Sequence, residues 1–494
     1  MPLTIAHPAR LRRNQSAVAE DLTQQASCAR EPGGRILIVG AGLCGLACAD
    51  ELLRLDHSDW LLLEASATAG GLASSVTDSA GFTWDLGGHV VFSHFGEFDR
   101  LLSELFRDGE LLRHDRSSFI RFRDRWVPYP FQQHVHCLPA EDATACLDGL
   151  VLAQRQGGVV GAADFGTWLQ ATYGPALVER FFGPYNAKVW ATAPELMSSS
   201  WVAERVAPVD FDQILTAPTA PTARRAGRWG PNATFAFPIS GGTGEISRRL
   251  ATRLGPRVRT RARVVAVDAA VREVVLAGGE RIAYDHLVAT GPLDQLAAMT
   301  MGVSAGVRAA AGRLRHTTVA MVGLGYQVPT TDVRSWMYFP QPDVPFYRAT
   351  NFSKYAPANV PGSDTRTFSS WMTETSLPDG AQVDQATLID SCDRALRRHG
   401  LVPAHAPLAS AHLEVIPYAY PVPTLDRDTA LAEVVPWMEA SGIYPRGRFG
   451  TWRYEIGNMD HAVKMGIDIA RRLVTGTAEE LLNTPMVTAA GSRS

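Results

Sequence analysis

The loop Gly40-Ala41-Gly42-Leu43-Cys44-Gly45 stands directly behind Ile36-Leu37-Ile38-Val39, and this pairing limits the folds open to the chain more than any other feature. A short continuous apolar run is the pattern of a strand buried on both faces of a parallel sheet. In the loop, the first glycine permits a tight turn, the second lets backbone approach a pyrophosphate, and the third lets helix and strand pack closely. Leu46, Ala49, Leu52 and Leu53 then recur at helical spacing, and Trp60-Leu61-Leu62-Leu63-Glu64 reads as a second buried strand ending in an acid. An acid in that place can accept a ribose hydroxyl. Strand, loop, helix and strand in this order predict a dinucleotide-binding α/β fold.

The chain has 494 residues, too many for one simple core, so two or three lobes are expected. Charged residues make up 20% and the net charge is −3, which argues against nucleic acid or an anionic membrane as partner and for small molecules. The six cysteines, at 28, 44, 48, 137, 146 and 392, show neither zinc spacing nor the density of a disulfide scaffold, so no metal is expected. Cys44 and Cys48 fall four apart on the expected first helix and read as packed apolar thiols rather than a redox pair. No apolar run reaches the roughly 18 residues of a membrane helix, which makes a cytoplasmic location the default. Residues 1–33 read as a flexible extension; Arg10, Arg12 and Arg13 give it a faint transit-peptide character that Glu20, Asp21 and Glu31 offset.

Periodicity divides the remainder. Residues 34–97, 236–300 and 440–476 are expected to form a discontinuous dinucleotide domain, with strand-like runs at 263–267, 273–276 and 284–290 and a strong helix at 460–474. Residues 98–235 read as a mostly helical inserted lobe, from repeats such as Phe98-Leu101-Leu102-Leu105 and, around Pro175, Leu169-Tyr173 and Leu177-Phe181. Residues 301–439 read as a second, mainly antiparallel sheet, and 477–494 as a C-terminal tail with disorder after about 484.

A second glycine pair, Gly70-Gly71-Leu72-Ala73-Ser74, follows the acidic strand end, and Gly87-Gly88-His89 comes soon after. Flavoproteins resembling amine oxidases carry such a pair, which favours FAD over NAD. The stretch from Gly81-Phe82 through Gly87-Gly88-His89-Val90-Val91-Phe92-Ser93-His94 resembles the UDP-galactopyranose mutase family of the eukaryotic type. The resemblance extends over Trp126-Val-Pro-Tyr-Pro-Phe-Gln132, Pro184-Tyr-Asn-Ala-Lys-Val-Trp190 and Trp229-Gly-Pro-Asn-Ala-Thr-Phe235. It continues at Pro345-Phe-Tyr-Arg-Ala-Thr350 and at Arg446 through Asn458, and so covers about residues 34 to 475 in order.

The resemblance implies an FAD-binding Rossmann-like domain and a non-redox isomerisation between UDP-galactopyranose and UDP-galactofuranose. In that reaction N5 of reduced FAD is the nucleophile at the anomeric carbon and UDP leaves; NADH or NADPH is the candidate external reductant. Carried over residue by residue, it places Gly40, Gly42, Gly45, Glu64, Gly70, Gly71, Leu72, Gly88, His89, Arg448, Gly457 and Asn458 at the cofactor. Arg205 and Arg348 stand where the family holds the diphosphate, and guanidinium forks suit that task. Tyr420 and Tyr454 match a phenol pair at the same group, with Trp336, Tyr338 and Tyr355 beside the substrate. Uridine recognition falls to Tyr129, Phe131, Gln132, Phe181, Tyr185 and Asn186, and Trp190 is placed at the substrate. The amides of Gln132 and Asn186 favour UDP over dTDP or GDP, since buried amides penalise a base that leaves them unpaired.

His89 is expected to act through its backbone carbonyl, catalytic use of the imidazole being the lesser alternative. Residues 203–205 and 228–232 match two substrate flaps, from which Asn232 would reach the sugar. Two positions depart from the family: Met459 replaces a glutamine in Gly457-Asn458-Met459-Asp460-His461, and Gly183 replaces a bulkier residue and is expected to loosen the uridine pocket. Alternatives left open are the same ring contraction on a 6-deoxy or pentose nucleotide sugar, an oxidase of amine-oxidase type, and a catalytically dead binding module. The sequence assigns no oligomeric state.

Overall fold

The computed structural model describes residues 34–156, 162–202, 205–210, 214, 230 and 232–483. The expected N-terminal extension, the end of the tail and five flap residues (Ala203, Glu204, Arg228, Trp229 and Pro231) lie outside them. A five-stranded parallel sheet carries the glycine loop, in the order Ile443–Pro445, His286–Ala289, Ile36–Val39, Trp60–Leu63, Val258–Arg259. Ile36 pairs with His286 on one side and Trp60 on the other, so the first strand is central and its apolar run is buried on both faces. Parallel strands need crossovers, and here two long ones, from Leu63 to Val258 and from Ala289 to Ile443, together hold most of the chain.

The helix Leu43–Arg54 and the helix Met459–Thr475 pack backbone to backbone. A β-carbon on Gly466 would lie 2.2 Å from the Cys44 carbonyl oxygen and 2.8 Å from the Cys48 nitrogen, which explains a glycine inside that helix. Cys44 and Cys48 are buried in this seam, and burial pushes the Cys44 thiol up to about 12. These are inert packing thiols, as their spacing predicts.

A seven-stranded sheet forms the opposite side, in the order Leu408–Val422, Arg315–Tyr326, Ser369–Pro378, Arg348–Asn351, Trp336–Tyr338, Ser118–Phe122, Arg125–Pro128. Its pairings are antiparallel except that Trp336–Tyr338 runs parallel to Ser118–Phe122. The helical reading of 98–235 therefore needs correction at its start: Leu111–Asp115, Ser118–Phe122 and Arg125–Pro128 are strands. Ser118–Phe122 alternates buried and half-buried positions, a period-two signal too short to stand out beside the helical repeats that follow. Helices occupy Ala140–Arg155, Phe165–Leu177 and Gly183–Trp190, the second kinked at Gly174 (φ 75°) beside Pro175. Gly183 ends a five-residue π-helical segment, Val178–Phe182, where a β-carbon would lie 3.0 Å from the Val178 carbonyl oxygen.

The two sheets meet through aromatic wedges. Gly325 and Gly323 leave room for Phe82 and Trp84, whose rings would lie 2.5 and 2.6 Å from added β-carbons. The Trp84 indole donates to Asp78 at 2.8 Å, and Ser410 donates to the same carboxylate at 2.6 Å. With the hairpin pinned to the antiparallel sheet, the next residues, Gly87-Gly88-His89, are held between the two sheets. The C-terminal segment also folds back rather than trailing as a tail. Glu479, 3% exposed, receives the guanidinium of Arg446 at 2.5 and 2.6 Å. No helix among the described residues is long and apolar enough to cross a membrane.

Candidate active site

A cavity of about 520 Å³ opens between the sheets. One wall is backbone: Gly40, Gly42, Gly70 and Gly71 line it together with Glu64, and Gly87, Gly88, Gly447 and Gly457 border it farther along. Gly40 has φ 104°, and a β-carbon there would lie 2.3 Å from the Thr290 hydroxyl; on Gly45 it would lie 2.0 Å from the Gly40 carbonyl oxygen. Gly42 has nothing within 4 Å of its missing β-carbon, so its face toward the cavity is open. These are the three roles the motif predicts: turn, close approach and helix packing. The second glycine pair lies alongside, since a β-carbon on Gly71 would lie 3.2 Å from the Gly42 α-carbon. The Glu64 carboxylate accepts from the Ala41 and Ser66 amides at 2.7 Å each, which fixes it at the strand end facing the cavity. A glycine cradle, an open Gly42 face and an anchored acid fit the pyrophosphate and ribose of FAD.

The other wall is made of side chains. Arg205, Arg348, Arg448, Tyr420, Tyr454 and Asn458 all face the cavity. Arg205 donates to the Asn458 side-chain oxygen at 2.9 Å and the Glu455 carbonyl at 2.6 Å, and lies 5.3 Å from the Tyr454 ring centre. Arg448 donates to the Gly457 carbonyl at 2.8 Å and lies over Tyr420 and Tyr454. Burial lowers the pKa of Arg448, with Arg205 adding to the effect. Arg348 is paired with Glu374 at 2.6 Å. Burial opposes charge on both partners, but each outweighs it for the other: Arg348 is held well above and Glu374 below its ordinary pKa. The Asn458 amide nitrogen and the Trp336 indole nitrogen are buried without a partner among the described residues, and both residues line the cavity.

His89 also lines the cavity, and its Nδ1 has no partner among the described residues. Burial, with Arg448 and Arg348 nearby against the opposing Glu374, lowers its imidazole to about 4. A neutral ring flanked by two cations is a poor proton reservoir near neutral pH.

Leu72, Asn232 and Tyr338 join the cavity lining, but the residues assigned to uridine do not. They stack behind Tyr338: Tyr129 and Tyr185 lie 5.6 and 5.5 Å from its ring, Tyr185 stacks on Phe181 at 5.2 Å, and Phe181 on Phe131 at 4.8 Å. Gln132 donates to the Ala207 carbonyl at 2.6 Å and Asn186 to the Phe182 carbonyl at 2.8 Å, so both amides are engaged by backbone. Trp190 packs 4.8 Å from Tyr454 and 5.9 Å from Tyr420. Tyr355 is fully buried among Phe235, Phe237 and Phe352, a layer behind Trp336.

Glu374, Asp460 and Gly447 are among the cavity residues that escape sequence reasoning. Glu374 had a signal, a lone carboxylate within the strand Ser-Ser-Trp-Met-Thr-Glu-Thr. Asp460 is a hub, accepting from the ring and amide nitrogens of His94 at 2.6 and 3.0 Å and from those of His461 at 3.1 and 2.9 Å.

Fold and cradle define a flavoprotein built on a Rossmann-like domain. Residues 38–107 match the NAD(P)-binding Rossmann-like domain and residues 161–473 the flavin containing amine oxidoreductase family. A solved structure of reduced UDP-galactopyranose mutase superposes with a TM-score of 0.86 at 36% identity, covering 92% of this chain and 97% of the other. The chain belongs to the UDP-galactopyranose mutase family, flavin-dependent enzymes within that wider class. Cyclohexylamine oxidase from Brevibacterium oxydans (TM-score 0.64, 17% identity, 90% and 99% coverage) and a fatty acid isomerase from P. acnes (0.63, 14%, 90% and 99%) share the fold. A zeta-carotene desaturase from Zea mays is 35% identical over 83 residues, which are 17% of this chain and 14% of that protein.

Proposed function

We propose that the protein interconverts UDP-α-D-galactopyranose and UDP-α-D-galactofuranose, using reduced FAD. The observation that carries this reading is the wall of three arginines and two phenols facing the glycine cradle across one cavity. Bound reduced flavin supplies a nucleophilic N5 for the anomeric carbon. The chain's own residues receive what departs: Arg205 and Arg348 stabilise the diphosphate as its charge grows, and Tyr420 and Tyr454 donate hydrogen bonds to it. His89 orients through its backbone, its imidazole staying neutral. Tyr338, which lines the cavity, is the ring against which uracil packs, and the rings stacked behind it hold it in place. An amine oxidase needs an apolar cage at this place, where this cavity offers guanidinium groups.

The test is to reduce the flavin-loaded protein with dithionite, equilibrate it with UDP-galactofuranose and separate the products by chromatography. UDP-galactopyranose is the expected product. Turnover of only a 6-deoxy or pentose nucleotide sugar would move the assignment to that substrate. Hydrogen peroxide formation from an amine without prior reduction would sink it.

A further inference from the structure

The segment 339–347 joins the strand Trp336–Tyr338 to the strand Arg348–Asn351, whose end residues Tyr338 and Arg348 stand opposite each other in the ladder. It reads Phe-Pro-Gln-Pro-Asp-Val-Pro-Phe-Tyr. Proline has no N–H, so Pro340, Pro342 and Pro345 leave the segment short of donors for its own carbonyls, and Phe339, Val344 and Phe346 are buried. Lys188 supplies what is missing. Its Nζ donates to the carbonyls of Phe339, Gln341, Val344 and Phe346 at 2.8, 2.9, 2.9 and 2.7 Å. An ammonium has three N–H bonds, so four carbonyls at these distances hold it as a point charge as much as by hydrogen bonds. Burial lowers its pKa to about 8, which leaves it the cation at neutral pH; Asp343, which pairs with Arg398 at 2.9 Å, opposes the shift.

The helix Gly183–Trp190 carries Lys188, and Tyr185 lies three residues earlier on the same face, its ring edge-on to that of Tyr338 at 5.5 Å. The ammonium thus seats the helix on the hairpin whose first strand ends in Tyr338. Arg348, at the start of the second strand, has a separate hold: Glu374 on the strand Ser369–Pro378, at 2.6 Å. We propose that Lys188 is a specificity-determining positioning residue: by binding the hairpin tip to the helix it keeps the Tyr338 ring in the orientation that receives the nucleobase, and it leaves the hold on the diphosphate to Arg348. The inference rests on the reading that uracil lies against Tyr338 and the diphosphate against Arg348. Without the ammonium, the inward carbonyls are left unpaired and repel one another, and the tip draws away from the helix, removing the edge of Tyr185 that backs Tyr338. The helix itself stays on the sheet, since the Val189 carbonyl accepts from the Ser376 hydroxyl at 2.6 Å.

The experiment is calorimetric titration of UDP, and separately of inorganic pyrophosphate, into the FAD-loaded, dithionite-reduced protein. Lys188→Met keeps most of the length of the side chain without its charge. It is expected to retain flavin and to bind UDP about tenfold more weakly than the wild type, the scale of one base–aromatic contact. Its affinity for pyrophosphate is expected to stay within about twofold of the wild type, as for independent sites. Lys188→Ala is expected to show the same split, and propylammonium, the part of the side chain removed, to restore UDP affinity where propanol does not. Equal losses for UDP and pyrophosphate, or loss of flavin from both variants, would make Lys188 a general prop of the fold and overturn the proposal. So would wild-type UDP affinity in Lys188→Met, or a Lys188→Ala protein that propylammonium leaves unrestored or that propanol restores equally. A wild type that binds UDP no better than pyrophosphate would instead overturn the placement of uracil, and the inference with it.

Discussion

The two walls of the cavity differ in what they are made of. Gly40, Gly42, Gly70 and Gly71 present peptide groups, so their service depends on backbone that no side chain may crowd. Arg205, Arg348, Arg448, Tyr420 and Tyr454 present charges and hydroxyls carried on segments spread from residue 205 to residue 454, so theirs depends on tertiary placement. A backbone site tolerates almost no change but is announced by its motif. A side-chain site accepts graded change and is invisible until the chain folds.

Substitutions should separate the walls by the form of their effect. Gly45→Ala is the most severe, because its β-carbon would meet the Gly40 carbonyl oxygen at 2.0 Å. Overpacking of this kind costs on the order of 3 kcal/mol, and the purified protein should carry no flavin absorbance. Full flavin content in that variant would break the comparison. Arg348→Ala should keep its flavin but leave Glu374 buried and unpaired, lowering turnover by about 1,000-fold; chromatographic assay of the reduced enzyme checks this. Arg205→Ala should cost less, about 10- to 100-fold, since its partners are carbonyls and the Asn458 amide rather than a buried carboxylate. An equal loss in both variants would show that the Glu374 pair adds nothing to the wall.

The smallest expected effect concerns His89, which belongs to both walls. Its folded pKa, about 4, is below the ordinary 6.5, so between these values the unfolded chain holds more protons than the folded one. Its contribution to stability is therefore lost as pH falls from 6.5 through about 4 and is constant above. From pH 7 to 9, the shape of the turnover profile should be the same for His89→Gln as for the wild type. A limb that disappears in the variant would assign proton transfer to the imidazole.

The legibility of the sequence follows the same division. Gly40, Gly42 and Gly45 were readable because they stand between a buried strand and a helix; Gly40 and Gly45 meet close contacts that only glycine allows, and Gly42 keeps an open face. The parallel strand, its helix and the closing helix at Met459–Thr475 were readable from apolar period. The strands at 111–128 were not, because four- and five-residue runs carry too few alternations to compete with neighbouring helical repeats. Arg205 and Arg348 had no local signal at all; only resemblance to a family singled them out from the other arginines. Glu374 and Asp460 were missed because a lone acid in a sequence does not reveal the donors that will surround it. Gln132 and Asn186 show the reverse case, polar residues rightly marked as buried whose amides spend their donors on the backbone.

The parallel sheet places Ile36 beside His286, and Leu287 beside Ile443, so the cradle's own sheet closes only after residue 445 has been added. Gly447, next to the buried Arg446, waits further for Glu479. During synthesis, the strand before the phosphate loop gains Trp60–Leu63 as a neighbour at once but waits for its second neighbour, His286–Ala289, until more than two hundred further residues have been made. A chain cut short before residue 479 would carry the motif intact but lack the carboxylate that holds Arg446, the neighbour of Gly447, in place.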